Sequence, residues 1–166
     1  MQQIKYLLVL LGVIFTSLAC NNSNAQKTVN PYYSRSAMHK LNVSDAEWKK
    51  ILPANVFYIA RQEGTDRAYQ SRYYNNHTAG TYYCAVCGNP LFSSKTKYES
   101  HTGWPSFYAP LKPESVVEKT DADGQRIEVE CSRCNSHLGH VFSDGPRPTG
   151  LRYCINGTVL DFVPAK

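Results

Sequence analysis

Hydrophobic positions change their spacing three times along the chain, and each change marks a different kind of segment. From Tyr6 to Ala19 the apolar residues run almost without interruption, with Lys5 before them and a polar stretch after them. The run is too short to cross a bilayer comfortably as a helix, which takes about 20 residues. A basic start, an apolar middle and small residues at the exit read as an export signal over residues 1–25. Two exits fit. Ser17-Leu18-Ala19-Cys20 resembles a lipobox, which would place lipid on Cys20; Ser23-Asn24-Ala25 fits cleavage of a soluble secreted chain. Either route removes Cys20 as a free thiol and sends the protein out of the cytoplasm, to a bacterial periplasm or to a membrane that the lipid anchors it to. Residues 26–43 are polar and mixed and read as a tether.

Helical spacing begins at Ser44. Ser44-Asp45-Ala46-Glu47 is a capping box, and Trp48, Ile51 and Leu52 then share one helical face. Pro53 interrupts and opens a second short helix through Arg61, with Val56, Phe57, Ile59 and Ala60 inward and Gly64 as its stop. Residues 67–76 are tyrosine-rich and irregular. From Gly80 the period shortens to that of strands, at Tyr82-Tyr83, Leu91-Phe92, 116–118, 127–129, Val141-Phe142, 151–155 and 159–162. Asp121-Ala122-Asp123-Gly124 signals one hairpin, and Asn156-Gly157 signals a tight turn joining the last two strands. The pattern predicts one domain over 44–166, a helical lead-in followed by a mainly β, mostly antiparallel body.

Composition narrows the function classes. With 166 residues, 42% hydrophobic and 19% charged, the chain can bury one modest core. Net charge is +5, and 17 basic against 13 acidic residues remain once the first 25 are removed. The basic residues are scattered, and phosphate affinity needs them clustered, so no nucleic acid partner is expected.

Cysteine usage carries the chemistry. Cys84-Ala-Val-Cys87 and Cys131-Ser-Arg-Cys134 are two C-x-x-C pairs separated by 43 residues. Four thiolates from two such knuckles make a tetrahedral zinc site, structural because four protein ligands leave no open position. Disulfides would also suit an exported chain. A thioredoxin-like redox pair would instead open a helix, and neither pair is followed by one. Cys154 is left over. His137 and His140 lie shortly upstream, Arg152 two residues before and Asn156 two after. Cationic and donor groups so close favour a thiolate.

Taken together, these residues resemble the B-type methionine-sulfoxide reductases from about Ser44 to Val163. The motifs that carry the likeness are Cys84-Ala-Val-Cys87-Gly88, Gly103-Trp104-Pro105-Ser106-Phe107, His137-Leu-Gly-His140-Val-Phe, Asp144-Gly145-Pro146 and Arg152-Tyr153-Cys154-Ile155-Asn156. The resemblance implies two antiparallel sheets with short N-terminal helices, stapled by zinc on Cys84, Cys87, Cys131 and Cys134. It implies reduction of the R epimer of methionine sulfoxide, mainly within proteins. Cys154 would be the nucleophile, passing through a sulfenic acid, with His137, His140 and Asn156 serving the departing oxygen. Trp104 would receive the substrate methyl group, and Arg152 is a further candidate on the substrate side. Many members carry a resolving cysteine just before the Gly-Trp-Pro-Ser-Phe run, where this chain has Thr102. An external thiol donor, thioredoxin-like, is therefore expected to regenerate Cys154. The rival reading is a non-enzymatic zinc-stapled binding module that presents Trp104, Phe107 and the tyrosines, with Cys154 buried and inert. A zinc hydrolase would need an open metal position.

Overall fold

The computed structural model describes residues 29–121 and 124–166. The export signal with Cys20, the start of the tether, and the Ala122-Asp123 tip of the first hairpin lie outside the described residues. No helix among the described residues is long and apolar enough to cross a membrane.

Among the described residues two helices come first, α1 (Asp45–Ile51) and α2 (Ala54–Gln62). Ser44 Oγ accepts from the Glu47 amide, the expected cap. Trp48 and Leu52 are the buried end of α1 and its cap, and Ile59 and Ala60 anchor α2. Glu63, in the left-handed region at φ 54°, ends α2, and the Gly64 amide returns to Tyr58 O. Arg61 ties both helices to the body, through Asp45 at 2.7 Å and the Cys134 and Asn135 carbonyls.

Nine strands follow: β1 (Gly80–Cys84), β2 (Pro90–Ser93), β3 (Lys97–Tyr98), β4 (Ser106–Phe107), β5 (Val116–Thr120), β6 (Ile127–Cys131), β7 (His137–Phe142), β8 (Arg152–Ile155) and β9 (Leu160–Pro164). They form a three-stranded sheet, β2-β1-β9, and a six-stranded sheet, β3-β4-β8-β7-β6-β5. Every pairing is antiparallel. The two-sheet, mainly β architecture is as the resemblance implied. The sheets share one core of aromatic and branched residues. Phe92 of β2 stacks on Phe107 of β4 at 4.5 Å, and Tyr82 of β1 meets the same ring edge-on at 5.0 Å. Each fully buried side chain of this kind is worth roughly 1.5–3 kcal/mol, and aromatic geometry adds about 0.5–1.5 kcal/mol. This cluster therefore locks one sheet against the other.

Two expectations need correction. Asn156-Gly157 is not a hairpin turn, because β8 lies inside the six-stranded sheet while β9 pairs with β1 in the other. A two-residue turn of that type needs positive φ at both positions, and Asn156 stands at φ −65°, ψ 123°. The chain instead crosses between sheets through a single 3-10 turn, Gly157–Val159. Asp66 holds that crossing, with its carboxylate accepting from Thr158 N at 2.8 Å and Thr158 Oγ1 at 2.6 Å. Position 157 must be glycine, since a Cβ there would lie 1.7 Å from Ser71 Oγ.

The second correction concerns the segment read as a tether. From residue 29 onward it is a strap across the cysteine pairs. Asn30 donates to Val86 O, Ser34 N to Cys87 O and Leu41 N to Arg133 O. Tyr32 packs edge-on against Trp48 at 5.2 Å. Its polarity misled because backbone and amide bonds hold much of the strap, with only Tyr32, Leu41 and Val43 packing on the core.

Candidate active site and metal centre

Cys84 ends β1 and Cys131 ends β6, so each strand delivers one cysteine and the turn after it delivers another. The two turns share one geometry. Gly88 N returns to Cys84 O at 2.7 Å, and Asn135 N returns to Cys131 O at 2.9 Å. Both turn residues take positive φ, 81° at Gly88 and 54° at Asn135. Glycine is required at 88 because a Cβ would press on the Ser34 backbone at 2.7 Å. The four sulfurs are buried and lie within 4.8 Å of one another. Cys84 and Cys134 are 3.7 Å apart, Cys87 and Cys131 3.6 Å. Metal–sulfur bonds of about 2.3 Å at tetrahedral angles give edges of about 3.8 Å. The donors therefore fit a thiophilic metal ion. The surroundings fit its charge as well. Arg133 is 4% exposed, and its guanidinium donates to the carbonyls of Ser34, His39 and Cys87. A buried cation beside an anionic tetrathiolate is compensated in a way that carbonyls alone do not provide.

The fifth described cysteine, Cys154, lies on β8 within the six-stranded sheet, two strands from β6 and its knuckle. Register fixes its company. Cys154 faces Ser106 of β4 on one side and His140 of β7 on the other. Ser106 in turn faces Tyr98, and His140 faces Glu128. Residues directly opposite on antiparallel strands project to one face, so this row is a polar seam running through the thiol. Cys154 is partly buried. Burial pushes its thiol above the ordinary value, while the Thr102 hydroxyl, the Arg152 guanidinium and Ser106 pull the other way. Arg152 itself is gripped bidentately by Asp144 at 2.8 and 2.9 Å and lies over the Phe142 ring at 4.2 Å.

Two histidines spaced three apart should fall on opposite faces of a regular strand. Here their rings meet at 5.4 Å. The strand is irregular between them: the β6–β7 register shifts at Val129/Glu130, and Gly139 takes φ 153°. His137 Nδ1 is held by Glu128 at 2.7 Å. Its Nε2 is buried and has no hydrogen-bond partner among the described residues. His140 Nε2 meets Asp121 at 3.0 Å, and burial holds this imidazole below the ordinary histidine value despite that carboxylate.

Asn156 and Trp104 are joined through a residue that sequence reasoning missed. The Asn156 amide is fully committed to backbone, accepting from Asp66 N at 2.9 Å and donating to Leu138 O at 3.1 Å. Trp104 Nε1 donates to Asp66 O at 3.0 Å. Asp66 thus holds the indole, the amide and the β8–β9 crossing at once. Glu128, Asp121 and Ser100 were missed too. The alternation Ile127-Glu-Val-Glu was the readable signal for Glu128, since buried carboxylates on a strand need a partner. Nothing local marks Asp66 or Ser100.

The site thus brings together a half-buried thiol, the Thr102 hydroxyl, the Arg152 guanidinium and, opposite it on β7, the His140 imidazole, a set able to support redox chemistry at sulfur. The SelR domain family matches residues 52–164. The peptide methionine sulfoxide reductase MsrB of Thiobacillus denitrificans is 53% identical over 123 residues, 73% of this chain and 93% of that protein. The MsrB of Leptospira interrogans is 53% identical over 126 residues, covering 75% and 96%. That of Methanosarcina barkeri is 52% identical over 128 residues, covering 76% and 90%. The chain belongs to the SelR family, the MsrB peptide methionine sulfoxide reductases.

Proposed function

We propose that this protein reduces the R epimer of methionine sulfoxide, mainly in proteins, with Cys154 as nucleophile. The observation that carries the reading is the unpartnered, buried Nε2 of His137 on the sheet that carries the thiol, with His140 directly opposite Cys154. A buried polar atom without a partner needs a reason, and a substrate oxygen that gains charge and a proton supplies one.

The step balances as follows. The Cys154 thiolate attacks the sulfoxide sulfur and forms an S–S bond; the oxygen takes up one proton, its bond to the substrate sulfur breaks, and it bonds to Cys154 Sγ as the S–S bond breaks, leaving the Cys154 sulfenic acid. The substrate sulfur gains two electrons and departs as methionine; Cys154 loses the same two. His137, backed by Glu128, and His140, backed by Asp121, serve the oxygen directly or through water. Asn156 acts by position, because both polar ends of its amide are already bonded to backbone. Trp104 walls the pocket for the substrate methyl group, and Arg152 steadies the thiolate.

Regeneration falls to an external donor, such as a thioredoxin-fold protein. Two of its thiols return Cys154 to the thiol, release one water and leave as a disulfide. The position of the usual resolving cysteine is Thr102, and the four knuckle cysteines hold the metal. That metal is zinc, the borderline-soft ion that four thiolates select in structural sites. It clamps the two knuckles and supplies no chemistry to the reaction. Residues 1–25 export the chain, which then works outside the cytoplasm, free or lipid-anchored at Cys20.

Turnover of the two epimers in a sulfoxide-bearing peptide, with dithiothreitol as reductant, tests the reading. Wild-type protein should consume only the R epimer, and Cys154→Ser should abolish it. Zinc-replete, folded protein that turns over neither epimer would sink the reading.

A further inference from the structure

Three hydroxyls lead away from the thiol. Thr102 Oγ1 lies 3.8 Å from Cys154 Sγ, Ser100 Oγ is 2.8 Å from Thr102 Oγ1, and Ser106 Oγ is 2.7 Å from Ser100 Oγ. The far end fixes the direction of the chain. Ser106 donates to the Trp104 carbonyl at 3.1 Å, because a carbonyl can only accept. A hydroxyl has one proton, so Ser106 must accept from Ser100. Ser100 has then used its own proton and accepts from Thr102 Oγ1, and from the Thr102 amide at 3.5 Å. Thr102 is left with a lone pair, not a proton, facing a resting thiol.

We propose that Thr102 is a reversing hydrogen-bond partner of Cys154: it accepts S–H while the thiol rests, and turns its own proton from Ser100 onto the sulfur when the thiolate forms. Hydrogen bonds to an ionised acceptor are roughly twice as strong as neutral ones. The turn therefore favours ionisation at the moment substrate needs it, and it leaves the rest of the chain, Ser100 to Ser106 to Trp104, undisturbed. Threonine thus does specific work at this position, where a second cysteine is absent. The proposal rests on Cys154 being the reactive thiol.

Other groups around the sulfur are Arg152 on its own strand, with Asp144 behind it, Ser106 from β4, His140 from β7, with His137 against its ring, and Tyr98 from β3. They are unchanged in the variants below, so differences among those variants isolate the hydroxyl.

The test is the pH dependence of iodoacetamide alkylation of the full, metal-replete chain, followed by mass spectrometry of the peptide that contains Cys154. Thr102→Val keeps the side-chain shape and loses the hydroxyl. Alkylation near pH 7 should slow about 10-fold or more, converging with wild type at high pH, from the strength of a charge-assisted bond. Thr102→Ser should stay within about twofold of wild type. Ser100→Ala frees the Thr102 proton for the sulfur, so its rate should hold or rise. A wild-type profile in Thr102→Val overturns the proposal, as does Thr102→Ser slowed like Thr102→Val, which would make the role one of packing. Should Thr102→Val fail to fold, a fall in Ser100→Ala alone refutes the assigned direction. Alkylation requires no sulfoxide. Absent turnover with the expected alkylation pattern would therefore sink the reductase reading and leave this proposal standing.

Discussion

Replacing Gly139 with alanine tests how closely the reaction depends on the spacing between β7 and β8. Gly139 lies between the two histidines and faces Ile155 across the sheet. A Cβ built there would sit 2.1 Å from the Cys154 carbonyl oxygen, a backbone atom that cannot rotate away. Ordinary contact begins near 3.4 Å, so β8 must withdraw by about 1.3 Å, and it carries the thiol with it. The φ of 153° adds strain of its own. Forced overpacking of this kind costs about 1–3 kcal/mol of folded stability. The larger effect falls on catalysis, because a misplacement of about 1 Å between reacting groups can cost 10²-fold. The expected result is a fall of roughly two orders of magnitude in kcat/KM for R-sulfoxide reduction, in protein whose urea midpoint shows it still folded. Gly150→Ala is the control. It also replaces a positive-φ glycine, at 73°, yet its Cβ would meet nothing within 4 Å. It should lose about 1 kcal/mol and little activity. A Gly139→Ala enzyme as active as the Gly150→Ala control would refute the claim that strand spacing positions the thiol.

Other expectations follow from neighbouring contacts. Asp66→Ala removes both carboxylate bonds to Thr158 and should cost about 2–3 kcal/mol in urea unfolding, with KM raised as the Trp104 wall loosens. Arg152→Met takes away a cation that lowers the Cys154 thiol, so alkylation at neutral pH should slow and its pH profile move to higher pH. Chelation should lower the melting temperature steeply and expose four thiols to a colorimetric reagent, whereas a melt unchanged by chelator would exclude a metal staple. His140 has a folded pKa depressed below its ordinary value of 6.5 by burial. The unfolded chain therefore binds the proton more readily, and the stability that His140 contributes is present above pH 6.5 and is lost as pH falls below it. Thermal melts in His140→Phe should flatten that slope, and an unchanged slope would show that another group sets it.

What the sequence made legible was whatever one segment can say alone. The Ser44 cap, the Trp48 face, the two knuckles and most strands are local patterns, and they appear where spacing put them; the second half of the capping box does not form, since the Glu47 carboxylate turns to Lys50. The failures share a cause, which is that partner choice is not local. Asn156-Gly157 has the residues of a hairpin turn. The tight turn is overridden because β9 gains five paired positions along β1, and because Asp66 clamps the crossing from about 90 residues away in sequence. The strap from residue 29 was read as tether because polar segments usually stay solvated. Much of its order comes from carbonyls and amides meeting the knuckle turns, and its few core-packing residues, Tyr32, Leu41 and Val43, are too sparse to form a periodic stripe. At the site, Cys154, His137, His140 and Trp104 were legible as chemical types. Of their supports only Glu128 left a readable signal, in the alternation of β6; Asp121, Asp66 and Ser100 left none, because a supporting residue is defined by what it touches.

The four-cysteine cluster and Cys154 are separate places in the fold, yet β6 and β7 connect them mechanically. Cys131 ends β6 three residues after Glu128, and His137 begins β7 three residues after Cys134. The Glu128–His137 bond therefore runs diagonally across the hairpin, from the residue opposite His140 to the residue that leaves the second knuckle at the closed end. A four-sulfur clamp fixes that closed end against β1, and the register of β6 on β7 follows from it. An imidazole held by a carboxylate at 2.7 Å tolerates little slip, and a shift of one residue would turn it to the other face of the sheet. In the proposed reaction the knuckles would act through geometry alone, by holding the β6–β7 register on which the Glu128–His137 bond depends.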